Sequence, residues 1–282
     1  MNTSISRYHS FKTFRALAFL LVGLSSLEAR PVDTELVILV DGQTFSEPSF
    51  DLILDGVAQA FEQQSFIDSV TSGPFGTIAA SVLVFGSTGT TTAVPWLEIS
   101  SASDSRSFAD SVRNITSPPS FGLISYVDAI SQGVASIASS TVEGTFRQLS
   151  IIEDGSFFLF SDTEAEVQAA RDAALASEVD LINSVVFNAG LGGLREAAIQ
   201  DYYDDNVVSG GLGGEADVIG GSVFGAPNEA ITTVIQDNIV ENLTQPTIDA
   251  NNLSVVPEPS IALLGLLSSS LLLFRRRRSC YR

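Results

Sequence analysis

Between residues 31 and 256 the chain has no Lys, His, Cys or Met, so any chemistry there must be carried by oxygen. A Ser-His-Asp triad, a Cys nucleophile, a Lys Schiff base and a thiolate or imidazole zinc site all lack their reacting groups. Carboxylates, hydroxyls and carbonyls remain, and these suit hard cations such as Mg²⁺ or Ca²⁺. The acids best placed for such work follow apolar runs: Asp41 behind Glu35 to Val40, and Asp154 just past the run Phe146 to Ile152. Tyr202-Tyr203-Asp204-Asp205 offers a cation or partner site, but its pattern reads better as a helix with one buried Tyr and a solvated acidic face. Trp96 beside Pro95 reads as a packing aromatic rather than a ligand-stacking one. Glu164 and Glu166 fall in the first turn of a helix, where anions favour the dipole. No two carboxylates are assigned as a glycosidase pair, because spacing along the chain does not give their separation.

The charges are distributed unevenly. The formal charge is -19, from 33 acids and 14 basic residues. Arg7, Lys12, Arg15 and Arg30 lie at the start, and Arg275, Arg276, Arg277, Arg278 and Arg282 at the end. Five arginines are left in the body, whereas only Glu28 and Glu258 of the acids fall outside it, so the body sits near -26. Such a surface excludes nucleic acid as a partner, because phosphates require clustered Lys and Arg.

Alternating strand and helix patterns position these residues. Glu35 to Val40, Ile78 to Phe85, Val94 to Ile99, Phe146 to Ile152 and Leu181 to Phe187 read as strands, the first buried on both faces. Gly86 to Thr92 reads as a loop entering the third strand. Phe50, Ile53, Leu54, Val57, Ala58 and Phe61 recur at helical spacing behind Ser46, a candidate cap, and Pro48. Further helices are expected over Ser103 to Ile115, Leu123 to Ser139, Thr163 to Ser177, Leu194 to Val207 and Asn228 to Leu243. Ser209 to Gly214 reads as a glycine-rich loop without the Lys-Ser/Thr of a P-loop, and Asp217 to Phe224 as an edge strand. The order indicates one α/β domain with a mostly parallel sheet.

Both ends carry export features. Arg7, Lys12 and Arg15 precede the apolar run Ala16 to Leu24, and small residues reach Ala29, so residues 1–29 read as a secretory signal peptide for signal peptidase. Residues 244–255 form a polar linker. Beyond it, Pro257-Glu258-Pro259 precedes an apolar segment, 260–274, and the basic tail Arg275, Arg276, Arg277 and Arg278. The segment is short for a bilayer but is extended by snorkelling arginines. Those four arginines anchor that end in the cytoplasm and leave the body outside. Residues 256–279 resemble the PEP-CTERM sorting signal of bacterial envelope proteins. That resemblance implies processing by an exosortase and delivery to the cell surface or exopolysaccharide matrix.

A first strand ending in Asp41, with a long helix behind it and a second Asp at another strand end, resembles the von Willebrand factor A-like fold, a Rossmann-like parallel sheet flanked by helices. Ile152-Glu153-Asp154-Gly155, Ala170 to Ala176, Ile182-Asn183, Tyr202 to Val208 and Val94-Pro95-Trp96 are similar, in order, to the motifs of a bacterial family of unknown function numbered 1194 within that fold superfamily. The resemblance covers residues 32–243. It implies a metal-ion-dependent adhesion site: an Asp-x-Ser-x-Ser loop, a Thr from a second loop and an Asp from a third, holding Mg²⁺ or Ca²⁺. Here Asp41 stands first, but Gln43 and Phe45 occupy the serine positions. With a one-residue shift Thr44 and Ser46 supply the hydroxyls, Gly122 stands near the Thr position beside Ser120 and Ser125, and Asp154 matches the third-loop Asp. The ligand set to test is therefore Asp41, Thr44, Ser46 and Asp154, a degenerate site.

The expected function is a non-enzymatic binding or adhesion module of the envelope, held by the single C-terminal helix or released, with exopolysaccharide or a surface protein as partner. The alternative is a structural matrix protein without metal binding. A hydrolase using carboxylates alone is the remote third reading.

Overall fold

The computed structural model describes residues 29–42, 47–116, 123–153, 161–177, 179–187, 196–210, 216–219, 233–235 and 237–239. Strand β1 (Arg30–Asp41) lies between β2 (Ile78–Gly86) and β4 (Val142–Glu153), parallel to both. Strand β5 (Leu181–Phe187) continues the parallel order beyond β4, and β7 (Ala216–Ile219) pairs parallel with its carboxyl half. Two antiparallel pieces finish the sheet. Strand β3 (Gly89–Ile99) folds back on β2, and the two-residue β6 (Ser209–Gly210) pairs with the start of β5. The order is β3-β2-β1-β4-β5-β6.

Helices cover both faces, as the uninterrupted apolar run Leu36 to Val40 of the central strand requires. Leu36, Ile38 and Val40 of β1 point to one face, where α1 (Glu47–Glu62) and α3 (Ala102–Arg113) pack. Phe50, Ile53, Leu54, Val57, Ala58 and Phe61 are all buried there, as their spacing predicts. Ile235 and Ile239, from helical turns within the expected last helix, join the same cluster. Val37 and Leu39 point to the other face, under α4 (Tyr126–Ala138), α5 (Glu164–Ala176) and α6 (Glu196–Asn206). A short helix α2 (Gln64–Ser72), not anticipated from the sequence, extends the first layer through Phe66 and Val70.

Two loop expectations are corrected. The segment expected as a loop at Gly86 to Thr92 is instead a tight hairpin and the start of β3. The chain reverses between Gly86 and Gly89, with φ of +99° at Gly89, a conformation that glycine accepts readily. Thr90, Thr91 and Thr92 then pair with Phe85, Val84 and Leu83 in the ladder, as β-branched residues favour. The register is irregular about Val82, where the Ser81 hydroxyl donates to the Val94 carbonyl at 2.8 Å. Pro95 lacks a donor and sits in an edge strand. The second correction is at Ser209-Gly210, which pairs with β5 rather than looping.

Several expectations fall on residues outside those described. They are the N-terminal leader, the linker, the sorting tripeptide Pro257, Glu258 and Pro259, the 260–274 segment and the anchoring arginines Arg275, Arg276, Arg277 and Arg278. Among the described residues no helix is long and apolar enough to cross a membrane.

Candidate functional site

Because β1 and β4 run parallel with Val40 opposite Ile152, their last residues, Asp41 and Glu153, finish side by side at the carboxyl edge of the sheet. Strand alternation then decides where they point. Val37 and Leu39 on β1, with Leu149 and Ile151 on β4, face the α4 layer, and Asp41 and Glu153 continue those rows. Both acids have 0% exposure.

Tyrosines roof them. Tyr126 opens α4, and its hydroxyl donates to Glu153 Oε2 and meets the hydroxyl of Tyr203 from α6. The two rings stand edge to face at 6.0 Å and 88°, and Phe85 packs 6.0 Å from Tyr126 on its other side. Burial first, and the charge of Asp41 second, hold the Tyr203 phenol well above its usual range. It is a neutral donor at any physiological pH. Tyr202, next along α6, is pushed up to about 12 by burial and then by the carboxylates Glu153, Glu164 and Asp162.

The start of α4 is itself tightly held. The Ser125 hydroxyl accepts from the Asp128 N–H at 3.0 Å and donates to Asp162 Oδ1 at 3.0 Å. Asp162 Oδ2 accepts from the Val127 N–H at 3.0 Å, and Thr90 donates to Asp128 at 2.6 Å. Through Tyr126, the first turn of α4, the positive end of its dipole, sits on the carboxyl-edge side of the sheet, where it favours negative charge.

A divalent cation, the group the fold resemblance implies, fits these donors poorly. Tyr126 brings a phenol already bonded to Glu153, and Ser125, one of the two hydroxyls beside the expected Thr position, is committed to capping α4 and to Asp162; the other, Ser120, lies outside the described residues. Neither carboxylate reaches solvent, whereas an adhesion site must leave one metal position open to a partner. Among the described residues no three acid, His or Cys side chains converge as metal ligands. Of the expected set Asp41 is at the edge as foreseen; Thr44, Ser46 and Asp154 lie outside the described residues.

Glu153 was not among the residues expected from the sequence, which named its neighbour Asp154. The alternation Leu149, Ile151, Glu153 marks it as inward-facing, and that parity was the available signal. No sequence spacing ties Tyr126 to Tyr203; tertiary packing alone brings them together. The reading of Tyr202 to Asp205 holds: Tyr203 is fully buried, Tyr202 half-buried, and Asp204 and Asp205 exposed. Trp96 packs against α4 and donates from its indole to the Ser136 carbonyl at 3.1 Å, a structural role. Glu166 closes a capping box with Thr163 at the start of α5.

The fold is shared with proteins of distant sequence. Proximal thread matrix protein 1 from the mussel byssus is similar at 14% identity and TM-score 0.52, over 77% of this chain and 49% of that one. The pilus adhesin SpaC from Lactobacillus rhamnosus GG is similar at 12% identity and TM-score 0.53, over 78% of this chain and 30% of that one. The SpRpn10 VWA domain matches at 12% identity and a lower TM-score of 0.47, over 72% of this chain and 95% of that one. The chain thus spans about half the length of the thread matrix chain and under a third of the adhesin, and at such identities the likeness concerns the fold alone. No curated protein matches the sequence. The family model described as "Protein of unknown function (DUF1194)" matches residues 31–219, most of the domain just described, and the chain belongs to that family.

Proposed function

We propose that the protein is an exported, non-enzymatic binding or adhesion module of the cell envelope whose carboxyl-edge acids form a closed structural lock, so that partners are met without a bridging cation at that site. The observation that carries this reading is the pair Asp41 and Glu153, both at 0% exposure beneath Tyr126 and Tyr203. A partner's acidic group has no route to a cation held there. Export rests on the two terminal signals in the sequence, with signal peptidase and an exosortase as processing partners. The 260–274 segment is the membrane anchor, held on its cytoplasmic side by Arg275, Arg276, Arg277 and Arg278. The kinds of protein that share the fold, a byssal thread matrix protein and a pilus adhesin, support a role in surface contact or matrix. Exopolysaccharide or another surface protein is the proposed partner.

A reporter fused after residue 250 should be found outside the cytoplasm, and a cytoplasmic reporter would sink the proposal. Adhesion of the full chain to exopolysaccharide-bearing cells should survive EDTA. A second reading, a metal-gated contact, is favoured by one observation: two carboxylates end side by side on β1 and β4. Thr44, Ser46 and Asp154 would complete its ligand set. Adhesion abolished by EDTA and restored by Mg²⁺ would select that reading.

A further inference from the structure

A cavity of about 290 Å³ lies where the β3 edge of the sheet meets the end of α3. Its walls are Val84 of β2, Thr91 and Ala93 of β3, and Asn114, Ile115 and Thr116, the residues that follow α3. Pairing sets the sheet side: Thr91 stands opposite Val84, whose side chain belongs to the α1/α3 layer, so Thr91 shares that face. Helix α3 ends on the same face, because Phe108, Ala109 and Val112 bury into that layer. Asn114 then caps the helix. Its Nδ2 donates to the Asp110 carbonyl at 2.8 Å, which fixes the amide.

The polar groups here are accessible and unmatched. Thr91, Asn114 and Thr116 are all exposed. The Thr91 and Thr116 hydroxyls and Asn114 Oδ1 make no hydrogen bond among the described residues. Two hydroxyls, which donate and accept, and an amide oxygen, which accepts, are thus set beside the apolar surfaces of Val84, Ala93 and Ile115. No ionisable side chain lines the cavity, although the body around it sits near -26. The adjacent Arg113 is turned to Glu62 and Asp55 instead. A cation therefore finds no carboxylate in this cavity, and an anion finds no counter-charge. What fits is a neutral molecule that carries several hydroxyls beside C–H faces. The volume is at the lower limit of small-molecule sites, room for a single sugar ring. An added peptide strand suits this edge less well: Pro95 offers no N–H to a ladder, and the register of β3 is already irregular about Val82.

We infer that this cavity is a subsite for one neutral pyranose unit of a polysaccharide, its hydroxyls received by Thr91, Asn114 and Thr116 and its C–H face by Val84, Ala93 and Ile115. The inference rests on the exopolysaccharide partner proposed above and gives that contact a location on the domain.

The test is ligand-observed saturation-transfer NMR on the full chain in a sugar-free detergent, with the methyl glycosides of glucose, galactose, mannose and N-acetylglucosamine. The uronic acid glycoside of matching configuration is the anionic control, and an acetylated, amidated Thr-Val repeat peptide is the strand control. At least one neutral glycoside should bind saturably, and its uronate roughly fivefold or more weaker, since a carboxylate there has no partner to replace water. Asn114→Ala should weaken that binding about threefold to tenfold, the effect of one neutral hydrogen bond. Ala93→Trp, at an exposed edge position where an aromatic suits a strand, should abolish it by filling the cavity. Melting curves establish that each variant folds, and Ala93→Trp decides the matter alone if Asn114→Ala disturbs the end of α3. No saturable binding of any of the four glycosides, equal binding of the uronate, tighter binding of the peptide, or binding unchanged in folded Ala93→Trp would each overturn the assignment. Adhesion to exopolysaccharide-bearing cells separates the two claims: adhesion that persists while no glycoside binds removes the subsite and leaves the adhesion reading standing.

Discussion

Glu35 and Asp41 sit on one strand, face one helix layer and are both buried, yet they occupy opposite environments. Asp41 and its neighbour Glu153 lie at the carboxyl edge, on the side where α4 begins, beneath two phenols and out of reach of solvent. Glu35 lines a cavity toward the carboxyl ends of α4 and α5, with one oxygen on the Gly144 N–H and the other, buried, 3.7 Å from Arg147 Nε. The same helix dipole favours the first two acids and disfavours the third. Burial of an acid therefore does not mark a functional site in this domain. What separates the two edges is which end of a helix the acid meets.

The comparison breaks most readily at Tyr126. Tyr126→Ala removes a fully buried ring and leaves Glu153 without its phenol, so unfolding titrations should show a loss of about 3–5 kcal/mol. Tyr126→Phe keeps the ring and removes only the hydroxyl bonded to a carboxylate, and about 1.5–3 kcal/mol is expected. If Phe proves neutral, the roof is packing alone and the lock has no polar component. At the other edge, Gly144→Ala forces a Cβ to within 2.8 Å of Glu35 Cγ and 2.9 Å of Glu35 N. The crowding should cost about 1–3 kcal/mol by denaturant melts. A neutral result would mean that β4 yields there, and that the close approach to Glu35 is incidental.

Smaller effects calibrate the scale. Thr163→Ala deletes the cap of α5 and should cost about 1 kcal/mol, because its hydroxyl accepts the Glu166 N–H and its N–H donates to Glu166 Oε2 at 2.8 Å. The pair Arg113 and Glu62, bidentate at 2.8 and 2.7 Å, lies on the α1/α3 layer away from both edges. Its hydrogen bonds from Arg113 hold the Glu62 carboxyl below its usual value. Its contribution is therefore present above the unfolded-state pKa and is lost as pH falls through the lowered folded-state value. Both side chains are about a third exposed, so the pH-dependent part should stay under about 1 kcal/mol. Stability of Glu62→Gln measured from neutral to acid pH should lose that dependence.

Much of the domain was legible in the sequence because its strands are apolar runs and α1 repeats its apolar residues at helical spacing. Leu181 to Phe187 and the α1 stripe emerge where expected. The hairpin at Gly86 to Gly89 was hidden because small polar residues look alike in a loop and in an exposed edge strand, and only pairing with β2 distinguishes them. The site was legible in one half. Asp41 followed from its strand, and Glu153 was readable as inward-facing from the alternation Leu149, Ile151, Glu153, whereas Asp154 lies outside the described residues. Tyr126 and Tyr203 are 77 residues apart and meet only because α4 and α6 pack on one face. The Glu35 cavity left no trace, since it needs two helix ends and a glycine on the neighbouring strand to converge.

The claim that the carboxyl edge is closed to cations is tested most directly by calorimetric titration of the full chain with Mg²⁺, Ca²⁺ and Mn²⁺, alongside Asp41→Ala. No heat assignable to that edge is expected: any binding seen should persist in Asp41→Ala. Saturable heat that disappears in a folded Asp41→Ala variant would contradict it and make Asp41 a metal ligand.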